Sequence, residues 1–156
     1  MSAAEDDALD VFIVTLQKQG VLLPRDNIAE IIPYEPLQRM DDTPDWLLGV
    51  LGWRGEQVPV VSFEMLSVER ASFSLVSVSS ASLVIVRATS DPSTLRFYAL
   101  VSQTEPKFHQ VSGAMLFETG EPVERTELAK VRYNNDVLSI PNLDYIEAAL
   151  LNALVQ

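Results

Sequence analysis

The sequence predicts a mainly β protein that ends in a helix. Two patterns carry the prediction. Short runs rich in Val, Ile, Leu and Phe recur along the chain, separated by Gly, Pro, Asn, Asp or Ser turns, which is the rhythm of small barrels or a sandwich. Near the C-terminus the period changes, and Leu143, Ile146, Leu150 and Leu154 fall close to one face of a helix. A third observation bounds the size of the answer. With 156 residues, 47% hydrophobic and 21% charged, the chain can bury a sizeable core as one domain or as two small lobes sharing one.

Met1 to Asp7 is small and acidic and reads as a loose tail. Asp10 to Gln17 carries Val11, Phe12, Ile13, Val14 and Leu16 and reads as a strand. Lys18-Gln19-Gly20 turns the chain, and Val21-Leu22-Leu23 returns it as far as Pro24. Ile28 to Ile32 admits two readings. Asp26 can cap a helical turn, yet Ile28, Glu30 and Ile32 also alternate as in a strand. Pro33, Pro36 and Pro44 make the next segment extended and irregular. Leu47 to Trp53 and Gln57 to Phe63 then form a hairpin about Arg54-Gly55-Glu56.

From Glu69 to Ser82 serine replaces charge, as in a join between lobes, with some strand character at Phe73 to Val78. Ser82 to Ala88 and Leu95 to Val101 are strands flanking an Asp91-Pro92-Ser93 turn. Lys107 to Val111, Val123 to Glu127 and Ala129 to Tyr133 are weaker strand candidates. Asn134-Asn135-Asp136 favours a tight hairpin, because Asn tolerates positive φ, and Val137 to Ile140 is the returning strand. Asn142 stands where a helix cap belongs.

Composition excludes several function classes. The formal charge is -11 and the isoelectric point about 4.4, so the surface repels phosphate backbones and anionic lipid headgroups. Cysteine is absent, which removes disulfides, thiolate metal sites and cysteine nucleophiles and fits a reducing compartment. No basic segment precedes an apolar run at the N-terminus, and the apolar runs are short for a membrane span. These features point to a soluble intracellular protein.

One residue looks placed for contact. Arg54 lies between Trp53 and Gly55 at the tip joining two strand-like runs. An exposed hairpin arginine is the ordinary reading; an interface arginine is the sharper one, since Arg and Trp are both enriched among binding hot spots. Glu30, the lone acid of an apolar run, is either the solvent-facing member of a half-buried strand or an ion-pair partner for Arg54. Trp53 is either core or part of an exposed binding patch. Trp46 reads as a packing anchor for the proline-rich connector. His109, the only histidine, cannot build a histidine metal cluster and has no serine spacing for a hydrolase triad. Asp41-Asp42, Glu5-Asp6-Asp7 and the acids from Glu118 to Glu127 read as solvated surface rather than a carboxylate pair for hydrolysis. The six glycines show no phosphate-loop or dinucleotide spacing, and neither a zinc HExxH pattern nor an EF-hand loop occurs.

The order of these pieces resembles the CheW family of chemotaxis coupling proteins. The resemblance is carried by Leu22-Leu23-Pro24 ahead of Ile28-Ala29-Glu30-Ile31-Ile32, then Pro44-Asp45-Trp46-Leu47-Leu48-Gly49-Val50, Trp53-Arg54-Gly55 and Val58-Pro59-Val60-Val61. It covers roughly Asp10 to Leu154 and is strongest in the first half. It implies two five-stranded SH3-like β-barrel lobes with a C-terminal helix, and it favours the strand reading of Ile28 to Ile32. The implied organisation is an acidic tail over 1–8, lobe one over roughly 17–68, lobe two over 9–16 and 72–142, and the helix over 143–154. It implies a non-catalytic adaptor without cofactor or metal, joining a CheA-type histidine kinase to the cytoplasmic tip of a methyl-accepting chemoreceptor, in the cytoplasm at receptor arrays. Nucleic acid and membrane insertion have no part in it. By the same resemblance Arg54, oriented by Glu30, is the partner-binding residue with Trp53 beside it, and the kinase surface lies around Val50, Leu51, Pro59 and Val60.

Gly52-Trp53 stands where the family usually has an asparagine-leucine pair, Ser62 where an aspartate is usual, and Met65-Leu66-Ser67 lacks a common glycine. These departures suggest a specialised paralogue, somewhat like the ChpC-type adaptors of pilus-linked chemosensory systems. The rival readings are a regulatory module of a larger histidine kinase, a β-barrel nucleic-acid binder and a carboxylate-dependent hydrolase. The acidic start and terminal helix favour a free adaptor over the first, and the acid excess opposes the second.

Overall fold

The computed structural model describes residues 8–68 and 72–154. The acidic tail over 1–7 and Glu69-Arg70-Ala71 at the start of the serine-rich join lie outside the described residues. In chain order the elements are β1 (Leu9–Thr15), β2 (Gly20–Pro24), β3 (Ile28–Pro33), β4 (Leu47–Trp53), β5 (Glu56–Val61), α1 (Phe63–Ser67), β6 (Ser82–Arg87), β7 (Phe97–Ser102), β8 (Lys107–Val111), β9 (Phe117–Glu118), β10 (Glu127–Tyr133), β11 (Asp136–Pro141) and α2 (Leu143–Leu154). Short 3-10 turns occupy Arg25–Asn27 and Gly113–Met115.

The strands form two sheets. One runs β8-β1-β2-β11-β10-β9, and the other runs β3-β6-β7-β5-β4. The fold is therefore mainly β, with two small sheets of the SH3-like barrel type and a C-terminal helix. The second sheet has the expected five strands; the first adds the two-residue β9 as a sixth. Paired strands run antiparallel, and β1–β2, β4–β5, β6–β7 and β10–β11 do so as hairpins between neighbours in sequence. The exceptions are the short parallel contacts β2–β11 and β5–β7.

This pairing places the whole second sheet inside the first along the chain. The path leaves the first sheet after β2, builds β3 to β7, and returns at β8. The segment boundaries expected for the lobes do not coincide with the sheets: β2 pairs with β1 and β11, and β6 and β7 join the sheet of β3 to β5. The physical reason is that β1 and β2 form one tight hairpin, in register from Val11↔Pro24 to Thr15↔Gly20, which moves as a unit into one sheet.

Three buried clusters hold the fold together. The largest lies where the two sheets and α2 meet, with Leu23 from β2, Val84 and Leu100 from β6 and β7, Phe63 and Leu66 from α1, and Ile146 and Leu150 from α2. Smaller clusters fill each sheet's own interior, around Leu51, Val60 and Ile85 in one and Val11, Val131 and Leu138 in the other. As the change of period predicts, α2 buries Ile146 and Leu150 and packs Leu143 and Leu154 against the same core. Asn142 caps it, its Oδ1 accepting from the Tyr145 N–H at 3.1 Å.

Some local expectations change. Phe73 to Val78 forms no strand; the buried amide of Gln103 holds it instead, donating to the Ser74 carbonyl at 2.8 Å and accepting from the Val76 N–H at 2.9 Å. Val123 to Thr126 is irregular and its strand begins only at Glu127. Ile28 to Pro33 is a strand, paired with β6 across a bulge between Ile28 and Glu30, and the turn reading applies to Arg25–Asn27 just ahead of it.

Candidate functional site

Trp53 and Glu56 face each other at the end of the β4–β5 ladder, leaving Arg54-Gly55 as a two-residue loop. Its φ values are +49° and +77°. A loop this short needs positive φ at both central positions to match the twist of its strands. Glycine takes that conformation freely, whereas an L-residue with a long side chain pays about 1–2 kcal/mol for it. Asn-Gly would be the relaxed choice, so a side chain that does not suit the turn occupies its tip.

What the arginine gains is a fixed position. Its Nη2 lies 3.1 Å from Glu30 Oε1, and its guanidinium carbon sits 5.0 Å from the centre of the Trp53 ring. The same Glu30 oxygen accepts the Trp53 Nε1–H at 2.8 Å. One carboxylate oxygen, on the strand paired with β6, thus fixes both an indole and a guanidinium on the β4–β5 hairpin. The bulge between Ile28 and Glu30 shifts the register of β3 just before this acid. Arg54's side chain remains 69% exposed and that of Glu30 36%, so the head is oriented yet open to solvent. In that setting an ion pair is worth about 0–1 kcal/mol of stability. The structure therefore brings together the three residues singled out at this place. Trp53 is half-buried: it packs against the sheet's own cluster, and its polar edge is bonded.

The aromatic surface continues. Trp53 meets Phe97, the first residue of β7, edge to face at 5.0 Å. Arg96 lies over Phe97 at 5.5 Å and bonds Glu56 Oε2 through Nη1 at 2.8 Å. The exposed end of the sheet thus carries two arginines, each stacked on a ring and each held by one glutamate.

Of the residues expected around the kinase surface, three are core. Leu51 is 3% and Val60 0% exposed, and Pro59 is buried as well. Strand alternation alone could not sort them, because β5 is buried on both faces from Val58 to Val61. Leu51, Pro59 and Val60 are thus corrected from contact residues to support for the surface, while Val50 is half-buried and reaches it. Gly49 is fixed by close packing of the connector: a Cβ there would lie 2.7 Å from the Gln38 carbonyl oxygen, and Gln38 exchanges two backbone hydrogen bonds with Val50.

Other candidates have structural roles. The His109 ring bonds the Tyr133 hydroxyl through Nδ1 at 3.1 Å. Trp46 packs against the central core and anchors the connector, its carbonyl accepting from the Ser62 N–H. Ser62 caps α1, accepting from the Met65 N–H at 3.2 Å, a task an aspartate also performs. Asp41 and Asp42 are exposed. Among the described residues no group of three or more His, Cys, Asp or Glu could hold a metal ion, and no helix is long and apolar enough to cross a membrane.

Two acids are buried: Glu147, which the sequence did not single out, and Glu127, which corrects the reading of Glu118 to Glu127 as solvated surface. Glu147, on α2, accepts from the N–H groups of Thr89 and Ser90 at 3.0 and 2.8 Å and from the Tyr98 hydroxyl at 2.9 Å. Burial, and then the Glu147 charge, push the Tyr98 hydroxyl far above the usual tyrosine range. The available signal was helical spacing, since Glu147 follows Leu143 by four and precedes Leu150 by three, on the apolar face. Glu127, at the first position of β10, accepts from the Glu124 N–H at 2.7 Å, from Lys130 Nζ at 3.2 Å and from the Ser139 hydroxyl. Burial pushes its carboxyl up, but these donors together outweigh burial and hold it below the usual glutamate value.

The model of the CheW-like domain family matches residues 10–146. The fold is similar to that of the scaffolding protein TtCheW from Thermoanaerobacter tengcongensis, with a TM-score of 0.70 over 87% of this chain and 85% of that one, at 11% identity. Likeness at that identity concerns the fold alone. None of the curated proteins matches the sequence.

Proposed function

Because the chain belongs to the CheW-like domain family, we propose that it is a non-catalytic adaptor that couples a chemoreceptor's cytoplasmic tip to a CheA-type histidine kinase. The observation that carries the proposal is the Arg54 hairpin. A guanidinium is fixed on strained backbone, clamped by Glu30 and stacked on Trp53, yet left 69% exposed. An arrangement of that kind adds little to stability. It does pre-organise a cation, which lowers the ordering cost of binding a partner. Arg54 is the anchor of the partner contact, Glu30 its orienting residue and Trp53 its apolar neighbour. Val50 extends the contact toward the kinase side.

On this reading the protein works in the cytoplasm, recruited to membrane-associated receptor arrays, where many moderate contacts sum to a stable assembly. The departures at Gly52-Trp53 support a specialised paralogue, with the tryptophan tuning which partner fits. A pilus-motility output in the manner of ChpC-type adaptors is part of the proposal.

The test is a reconstitution of purified chain, CheA-type kinase and receptor cytoplasmic fragment, scored by co-sedimentation. Wild type should bring the kinase down with the receptor, and Arg54→Glu should fail to do so while melting near wild type. Kinase and receptor that associate equally well with and without the chain would refute the adaptor reading.

A further inference from the structure

We propose that Arg96 is a second partner-binding arginine, and that with Arg54 it forms a two-cation strip that grips an acidic segment of the kinase. The inference rests on the adaptor reading above and names the chemistry of its kinase contact.

The strip is built as one unit. Arg54 lies over Trp53, Trp53 meets Phe97 edge to face, and Phe97 lies under Arg96, each step being 5.0 to 5.5 Å. Trp53 and Glu56 are cross-strand partners at the end of the same ladder. Glu56 clamps Arg96 at 2.8 Å, as Glu30 clamps Arg54 at 3.1 Å. Both arginine side chains are mostly exposed, 63% for Arg96 and 69% for Arg54, whereas their glutamates are about one-third exposed. Each ion pair is neutral as a whole, and its guanidinium is the part more open to solvent at both ends.

The chain carries 22 acidic and 11 basic residues, so its net field repels acidic partners, and short-range donors held in place are what can receive a carboxylate. A stacked guanidinium held by one carboxylate still presents an edge of N–H donors, which matches a second carboxylate. Two such edges, one at each end of the aromatic row, fit two acidic side chains of one partner segment.

The space beside the strip indicates what lies between those acids. A groove of about 410 Å³ opens next to Arg96 and Phe97, apolar at Met40, Val50 and Leu154 and polar at Gln57 and Thr94. Its apolar part can take an apolar side chain of the same segment, and the rest has room for that residue's neighbours. Because Val50 lines the groove, the strip adjoins the side proposed above for the kinase, which is why the kinase is the occupant proposed.

The experiment measures affinity for the purified regulatory domain of the CheA-type kinase and, separately, for the receptor cytoplasmic fragment. The variants are Arg96→Ala, Arg96→Lys and Arg54→Ala, each with its melting temperature. The expected result is that Arg96→Ala weakens kinase binding about tenfold, leaves receptor binding unchanged and melts within a few degrees of wild type. Arg96→Lys should recover only part of the loss, because an ammonium keeps the charge but not the planar fork. Wild-type kinase affinity should fall with added salt, and Arg96→Ala should show the shallower dependence. Kinase affinity of Arg96→Ala equal to wild type, in a preparation where Arg54→Ala has lost binding, overturns the inference and leaves the adaptor reading standing. Loss of receptor binding alone overturns the choice of occupant. A wild-type chain that binds neither protein ends the adaptor reading and this inference with it.

Discussion

Replacing Arg54 by asparagine separates stability from binding at the hairpin tip. Arg54 holds φ +49° ahead of Gly55 at +77°, and Asn-Gly is the dipeptide that suits this loop best. Relief of the left-handed penalty recovers about 1 kcal/mol. Against it stand the loss of an exposed ion pair with Glu30, about 0–1 kcal/mol, and of the cation–π contact with Trp53, about 0.5–1 kcal/mol at an exposed site. Trp53 keeps its hydrogen bond to Glu30, so the hairpin remains tied to β3. The sum lies within about 1 kcal/mol of zero, and for a chain of this size the melting temperature should move by no more than about 4 °C in either direction. Partner affinity should behave differently. Loss of an anchoring arginine costs about 2 kcal/mol or more, roughly a thirtyfold weaker Kd. Urea or thermal unfolding and titration calorimetry on one preparation measure both. Destabilisation by more than about 2 kcal/mol would show that the Arg54 side chain holds the fold together, and the reasoning from exposure would be refuted.

Three further outcomes follow from the packing. Glu147→Ala removes the acceptor of three donors, of which Tyr98 is fully buried while Thr89 and Ser90 are exposed and can turn to water; urea unfolding should show a loss of about 3 kcal/mol, and a loss under 1 kcal/mol would contradict the anchoring role of this acid. The Glu127 carboxyl is held below its usual value, so its contribution is present above the unfolded pKa and disappears as pH falls through the lower folded one. Between about pH 5 and pH 3 wild type should therefore lose more stability than Glu127→Gln, and parallel curves would count against it. Gly49→Ala places a Cβ 2.7 Å from the Gln38 carbonyl oxygen and should cost about 1–3 kcal/mol by displacing the connector, read as a drop in melting temperature; an unchanged value would show that the connector yields freely.

Much of the fold was legible because strands and helix announce themselves by period. The hairpin about Arg54-Gly55-Glu56, the β1–β2 turn and the apolar face of α2 all follow from residues close in sequence. Sheet membership was harder. Whether β2 pairs with β11, or β5 with β7, depends on contacts between segments far apart in the chain, and apolar strands buried on both faces carry no alternation to orient them. Leu51, Pro59 and Val60 illustrate the same limit, since a β-branched or proline run reads alike whether it faces a partner or the core. Phe73 to Val78 has strand-like composition but finds no ladder and is tethered by Gln103 instead. At the site, Glu30, Trp53 and Arg54 were visible as residues out of keeping with their surroundings. The second half of the aromatic row was not, because Arg96 and Phe97 come from a different strand and join Trp53 only in space. Glu147 was hidden for the opposite reason: an acid in an amphipathic helix is expected to face water.

The central claim is that Glu30 and Arg54 act as a coupled unit in partner binding. The measurement that tests it most directly is a double-mutant cycle with Glu30→Gln, Arg54→Ala and the double variant, titrated against the kinase regulatory domain and the receptor fragment with melting temperatures recorded alongside. For at least one partner, Arg54→Ala should weaken binding strongly and Glu30→Gln less. The double variant should bind no worse than Arg54→Ala, with all melting temperatures near wild type. Two single effects that simply add, or wild-type affinity for both partners in Arg54→Ala, would contradict it.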